Sequence, residues 1–560
     1  MRFQMILPAV LVLGAMPFPA AAQESTTVAQ AVDKLVAQEQ AEVQILRRYS
    51  PLVETYIQIV RPDKELGAVP DGDKYFLGRA ELDKGVQLEP LINGNGKHRF
   101  LSGIGSFFSP EFLPRGFLQM IYIDQDGFDR QHYRFAYAGR EFLGEVRCLI
   151  FDVDPLPNVG KGRFVGRIWV EDQDYHIVRF NGAFSGNSKS SYYFNFDSWR
   201  ENSGKNEWLP AFIYSEEGNV QYGVKRDFAF QAFKAQTRLW GYDLNREQEE
   251  QTLSNVLVEA PKVRDQAEVG NGYSPLQAKR AWGRLAEDNV AAKMQRTGLM
   301  APYGDVDKVL ETVVNNLEVT NDLDVQPEVR CRVLMTSTLE SFTMGHTIVV
   351  SRGLIDVLPD EASLAAILAH ELAHVMLGHR MDTQFAFFNR MRFDEKETFH
   401  HFGFARNAKE EEEATKKGVE LLKKSPYQNQ SATAQAFFQA LQKRAKQIPN
   451  LISPHLGDSV PKNSTIALAA TAQQTAFNSS AKTTAALPLG GRIKVDPWDD
   501  RLVMLKSKPE GAVAEYEKMP FEVTPFLVYL TRRSGNSPAN DAGAVAAKSE
   551  ENPDPADGKP

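Results

Sequence analysis

The stretch "ILAHELAHVMLGH", residues 367–379, sets His370 and His374 four residues apart, with Glu371 directly after the first histidine. On an α-helix, at about 100° per residue, the two imidazoles fall about 40° apart on one face and Glu371 sits at their edge. Two imidazoles at that spacing can clamp a divalent metal, and a carboxylate beside them can take a proton from a water. These are the parts of metal-assisted hydrolysis. The surrounding run "ASLAAILAHELAHVML" is apolar all round the helical wheel, and Asp360 after Pro359 is placed to cap its start. The helix is therefore expected to be buried, and its polar side chains need partners. Hydrogen-bonded core histidines would meet that need as well as a metal would.

Histidine favours zinc among the common metals, and zinc requires a third protein ligand. The local solution, Gly seven and His ten residues after the first histidine, is missed, because Gly378 and His379 come at eight and nine. On the wheel His379 lies roughly opposite His370, which suggests a capping or surface role. The third ligand must then come from further along. In "NAKEEEEATKKGVELLKK", residues 407–424, the apolar positions Ala408, Ala414, Gly418, Val419, Leu421 and Leu422 centre on the direction of Glu411. Glu410, Glu412, Glu413 and Glu420 point away, as solvated acids do. Glu411 alone faces the core, either as a metal ligand or as the buried partner of a salt bridge.

With these residues in place, the region from about 305 to 460 resembles the family of HtpX, BepA and the CAAX prenyl proteases, zinc metallopeptidases with a small helical core. "IVVSRGLIDVLPDEASLAAILAHELAHVMLGH" is similar almost throughout to the strand, helix and HExxHxxxxH stretch of that family. The resemblance implies a gluzincin-type core holding one Zn2+ per chain. His370, His374 and Glu411 would be its ligands, with Glu411 beginning the "EEEAT" form of the Glu-x-x-Ala-Asp motif, and Glu371 would be the general base. It also offers His455, in "SPHLGDS", for the histidine that steadies the transition state, although a plain loop histidine fits that position too. Two departures stand out: Thr415 replaces the Asp of the motif, and Glu340, Ser341 and Phe342 stand where the family has Asn-Ala-Phe.

The elements that must position these residues follow from the hydrophobic patterning. Residues 1–22 read as a cleavable signal peptide, with Arg2, a short apolar stretch interrupted by Pro8 and Pro17, and Ala20 to Ala22 before Gln23. Residues 23–66 are expected to be N-terminal helices. From 67 to 250 strand-like alternation predicts an antiparallel β domain, with "GRFVGRIWVEDQDYHIVRFNGAF" as a hairpin turning at Glu171 to Asp174. Its strand rhythm resembles the half-barrel of periplasmic lipoprotein-carrier proteins; a plain packing or docking sheet is the other reading. The metallopeptidase region, 251–470, should be mainly helical, followed by an α/β extension at 471–533 and a Ser-, Asn-, Pro-, Asp- and Gly-rich disordered tail at 534–560. The whole is an α+β multidomain chain.

Composition narrows the partners. A formal net charge of −8 gives no basic footprint for nucleic acid. Beyond the leader no segment has the apolar length to span a bilayer. "NGNGKH" at 93–98 lacks the first Gly and the final Ser or Thr of a phosphate loop. Cys148 and Cys331 allow one bridge at most and no cysteine-rich zinc site. The expectation is a periplasmic or secreted zinc endopeptidase acting on peptides or unfolded protein, with an envelope protein as candidate client and protein quality control as candidate role. The alternative is a chaperone or lipid and lipoprotein carrier whose zinc core is weak or inactive.

Overall fold

The computed structural model describes residues 27–63, 67–91, 114–160, 162–185, 194–204, 206–217, 232–243, 274–379, 402–428, 431–459, 492–505 and 521–532. The proposed leader, the turn at 93–98 and the tail at 534–560 lie outside the described residues.

Helix α1, Val28–Leu46, is started by Thr27 and Gln30, which bond each other's backbone N–H groups in a capping box. The chain then enters a ten-stranded sheet: β1 Leu52–Asp63, β2 Gly67–Glu81, β3 Gln87–Pro90, β4 Tyr133–Leu143, β5 Val146–Pro155, β6 Phe164–Glu171, β7 Ile177–Phe184, β8 Asn195–Asn202, β9 Trp208–Glu217 and β10 Ala232–Trp240. Its order is β3-β2-β1-β10-β9-β8-β7-β6-β5-β4, with every neighbour antiparallel. The expected hairpin at 162–184 is β6–β7. Its turn is fixed by the buried Glu171, which accepts from the backbone N–H groups of Gln173, Asp174 and His176.

The expectation of helices up to residue 66 is wrong for 52–63, which form β1 inside the sheet. The reason is burial on both faces. Leu52 and Tyr56 join the apolar core shared with the C-terminal half of the chain, whereas Val53 and Ile57 join the core beneath α1. A strand covered on both sides loses its apolar–polar alternation and reads as a run that helix spacing also matches. The short helix α2, Pro114–Gln119, lies in the same layer as α1. Arg200 of β8 anchors α1 through a bidentate pair with Glu39, at 2.6 and 2.7 Å.

The opposite sheet face carries a second, mainly helical layer: α3 Pro275–Arg296, α4 Asp305–Thr320, α5 Arg352–Val357, α6 Glu361–Met376, α7 Ala408–Lys423, α8 Ser431–Arg444 and α9 Pro449–Ile452. Within it sits a small sheet, β11 Arg330–Leu334, β12 Glu340–Met344, β13 Thr347–Ser351 and β14 Asp458–Ser459, in the order β11-β13-β12-β14. The chain is thus α+β. At the expected 471–533 extension the described residues hold two short strands, β15 Ile493–Val495 and β16 Leu502–Met504, and the extended segment 521–532, but no helix. Val523 and Thr524 around Pro525 disfavour one. The segment instead bonds side chains of the large sheet, Val523 N–H donating to Gln58 and Gln236 to the Thr524 carbonyl. Cys148 and Cys331 are both buried and unpaired. Among the described residues no helix is long and apolar enough to cross a membrane.

Candidate metal centre

Helix α6 begins as its sequence implies, with the Asp360 carboxylate accepting from the Ser363 backbone N–H at 2.8 Å. It is buried along nearly all its length, His370, Glu371 and His374 included. Helix α7 is started by Asn407, whose side chain accepts from the N–H groups of Lys409 and Glu410, while the Glu410 carboxylate bonds back to Asn407 N–H. That cap employs Glu410 and leaves Glu411 facing α6. The two helices meet closely at Gly418: a Cβ there would lie 3.1 Å from His370 Cα and 3.2 Å from the Ala369 carbonyl. The missing side chain lets the backbones approach, and Glu411, about two turns earlier on the same face, arrives beside the imidazoles.

His370 Nε2 and His374 Nε2 are 3.1 Å apart, and the Glu411 carboxylate oxygens lie 3.4 Å from the first and 3.3 Å from the second. Ligands about 2.1 Å from a tetrahedral zinc ion stand about 3.4 Å from one another. The three side chains are therefore already at ligand spacing. Both Glu411 oxygens are buried and, among the described residues, make no hydrogen bond, an arrangement that calls for a cation. Burial opposes ionisation of Glu411, but the two imidazoles facing it outweigh that and hold its carboxyl down to about 2. The donor set, two imidazoles and one carboxylate, suits zinc.

Glu371 is buried beside this group, and its Oε1 accepts from Ser341 Oγ of β12 at 2.7 Å. In the sequence Ser341 is only a departure from the family's Asn-Ala-Phe; the structure gives it a partner. Thr415 places its hydroxyl 3.5 Å from His370 Nδ1, at the limit of a hydrogen bond. His455 sits in the loop between α9 and β14. Its N–H and those of Leu456 and Gly457 donate to Glu340 Oε2, at 3.1, 3.0 and 3.2 Å. Its ring stacks on Tyr75 of β2 with centroids 5.0 Å apart, and its buried Nε2 has no hydrogen-bond partner. Burial pushes its pKa below the usual histidine value. Among the described contacts, none joins it to the other four site residues.

His379 departs from the expectation of a capping or surface role. Helix α6 ends at Met376, and Gly378, at φ 68°, turns the chain back so that the wheel no longer applies. The His379 side chain is only 9% exposed and its Nδ1 lies 2.8 Å from His374 Nδ1. The signal was available, since glycine just past an apolar run is a helix stop.

Residues 304–455 match peptidase family M48, which supports a metallopeptidase and a metal-dependent site. The β region is similar to solved structures at low identity. A DUF1329 family protein from Desulfovibrio piger is 9% identical, the match covering 37% of this chain and 92% of that one at a TM-score of 0.16. A domain named for outer membrane lipoprotein sorting, from Vibrio parahaemolyticus, is 12% identical over 37% and 91%, at a TM-score of 0.15. No curated protein matches the chain.

Proposed function

We propose that this chain is an exported zinc-dependent endopeptidase, with His370, His374 and Glu411 as ligands of one zinc ion and Glu371 as general base. The observation that carries the reading is the mutual spacing of the three ligand atoms, together with the orphaned carboxylate oxygens of Glu411. Zinc, when bound, supplies a Lewis acid that lowers the pKa of a water and polarises a peptide carbonyl. Glu371 takes the proton of the attacking water and returns it to the leaving amine. The Ser341 hydroxyl engages Oε1 of Glu371 and so sets the direction of Oε2 for that exchange. His455, with a buried, unpartnered Nε2 on an anchored loop, is proposed as the donor to the developing oxyanion.

The substrate is proposed to be a peptide or unfolded protein outside the cytoplasm, with an envelope protein as client. The Arg2-plus-apolar start of the sequence supports export. Metal analysis and peptide-library digestion of the purified protein test the reading, with Glu371→Gln as its control. The expected result is one zinc per chain, endoproteolytic cleavage, and a loss of roughly 10² to 10⁴ in rate on Glu371→Gln with zinc retained. Full cleavage by Glu371→Gln, or a parent protein that takes up no zinc, sinks it.

A further inference from the structure

A histidine that binds a metal through one ring nitrogen is held in place by the bond its other nitrogen makes. The two proposed histidine ligands meet different groups on the Nδ1 side. On His370 the Nδ1 side meets the Thr415 hydroxyl at 3.5 Å. On His374 the Nδ1 side meets His379 Nδ1 at 2.8 Å, and the Nε2 of His379 faces the Glu413 carboxylate at 3.6 Å.

The proton positions follow from these contacts. His374 Nε2 is the nitrogen that faces His370 and Glu411, so a lone pair for a metal must be on Nε2 and the proton on Nδ1. That N–H donates to His379 Nδ1, which must then be the bare nitrogen of its ring. The His379 proton is thereby placed on Nε2, toward Glu413. Each group specifies the tautomer of the next. The left-handed turn at Gly378 makes this possible by folding the residue after the helix back onto its last turn.

We propose that His379 is a positioning residue that fixes the tautomer and ring orientation of the metal ligand His374, its own Nε2 facing the Glu413 carboxylate. The inference rests on the zinc reading above. Where the family resemblance leads one to expect a carboxylate on α7, this chain has Thr415, and a ring nitrogen of His379 lies at 2.8 Å from Nδ1 of the other histidine.

The test uses the full chain stripped of metal. Zinc affinity is measured by competition with a chromophoric chelator, and the visible absorption of the Co2+-loaded protein reports ligand geometry. His379→Ala should weaken zinc binding by roughly 10- to 100-fold and alter the cobalt spectrum, while the thermal midpoint of the metal-free protein stays that of the parent. His379→Asn, whose side-chain oxygen falls near the position of Nδ1, should restore most of the affinity and the parent spectrum. Parent-like zinc affinity and cobalt spectrum in His379→Ala would overturn the inference while leaving the zinc reading intact. So would a His379→Asn variant whose metal-free midpoint is normal but whose affinity is as weak as that of His379→Ala. A parent protein that binds no zinc would remove both.

Discussion

Glu371 and Glu411 are two carboxylates in one buried site, and their contacts differ. Glu371 accepts from the Ser341 hydroxyl, whereas both Glu411 oxygens face only imidazoles. Glu411→Gln keeps the shape but removes the anion, so it should release zinc and lower the thermal midpoint of the loaded protein toward that of the metal-free form. Equal zinc content in Glu411→Gln and the parent argues against its place among the ligands. Ser341→Ala should retain zinc, yet lower the peptidase rate by about tenfold through a less well-oriented base, the size expected for one hydrogen bond to a charged group; an unchanged rate would make Ser341 a packing residue only. At this scale the sequence went a long way. Helical spacing grouped His370, Glu371 and His374, and the wheel of 407–424 singled out the carboxylate that the structure brings to them. What it missed, the bond from Ser341 and the turned-back His379, depends on a strand partner and on a chain reversal, which the periodicity of one helix does not encode.

Between elements, the closest fit in the centre is the crossing of α6 and α7. Gly418 has an ordinary helical conformation, so its role is room rather than backbone freedom: it lets the α7 backbone lie against His370 and Ala369. Alanine there needs its neighbours to yield by a few tenths of an ångström. Valine, with two further methyls, would prise the helices apart at a cost of about 1–3 kcal/mol and would withdraw Glu411 from the imidazoles. Gly418→Val should therefore lose zinc affinity and stability together, with Gly418→Ala intermediate, as read by chelator competition and thermal melts. If Gly418→Val binds zinc like the parent, the crossing does not set the ligand distance. The helices that hold the centre were legible, α6 from its Asp360 start and apolar run and α7 from the apolar face that centres on Glu411. Strand β1 was not. Its residues are buried on both sides, Leu52 and Tyr56 toward the helical layer and Val53 and Ile57 toward α1, so the alternation that marks a half-buried strand is absent, and only the tertiary partners on both sides reveal what it is.

On the scale of the whole molecule, the large sheet is the wall against which the metallopeptidase layer is built. Glu54 of β1, buried, accepts from the backbone N–H and the hydroxyl of Ser337, from Arg352 of α5 at 2.9 Å and from Tyr75 of β2 at 2.6 Å. Tyr75 in turn stacks on His455, and Asp73 of β2 accepts from the N–H groups of Asn450 and Leu451 just ahead of it. The loop that carries His455 is thus held from the sheet side by Asp73 and Tyr75 and from its own side by Glu340. A sheet that merely docked a substrate would not need buried charges facing the core of its neighbour, because uncompensated ones are expensive. The two layers should accordingly unfold as a unit. Glu54→Gln leaves Arg352 buried with Asp356 as its remaining carboxylate partner among the described residues, and should destabilise the fold by about 3–5 kcal/mol, the range for breaking one partner out of a buried pair. Denaturant unfolding followed by tryptophan fluorescence, dominated by Trp169, Trp199, Trp208 and Trp240 in the sheet, and by zinc release from the centre should give one coincident transition in the parent and one, shifted, in Glu54→Gln. Two separate transitions in the parent, with zinc release unaffected by Glu54→Gln, would mean that the sheet is an independent module and that its contacts with the His455 loop do not serve the metal centre.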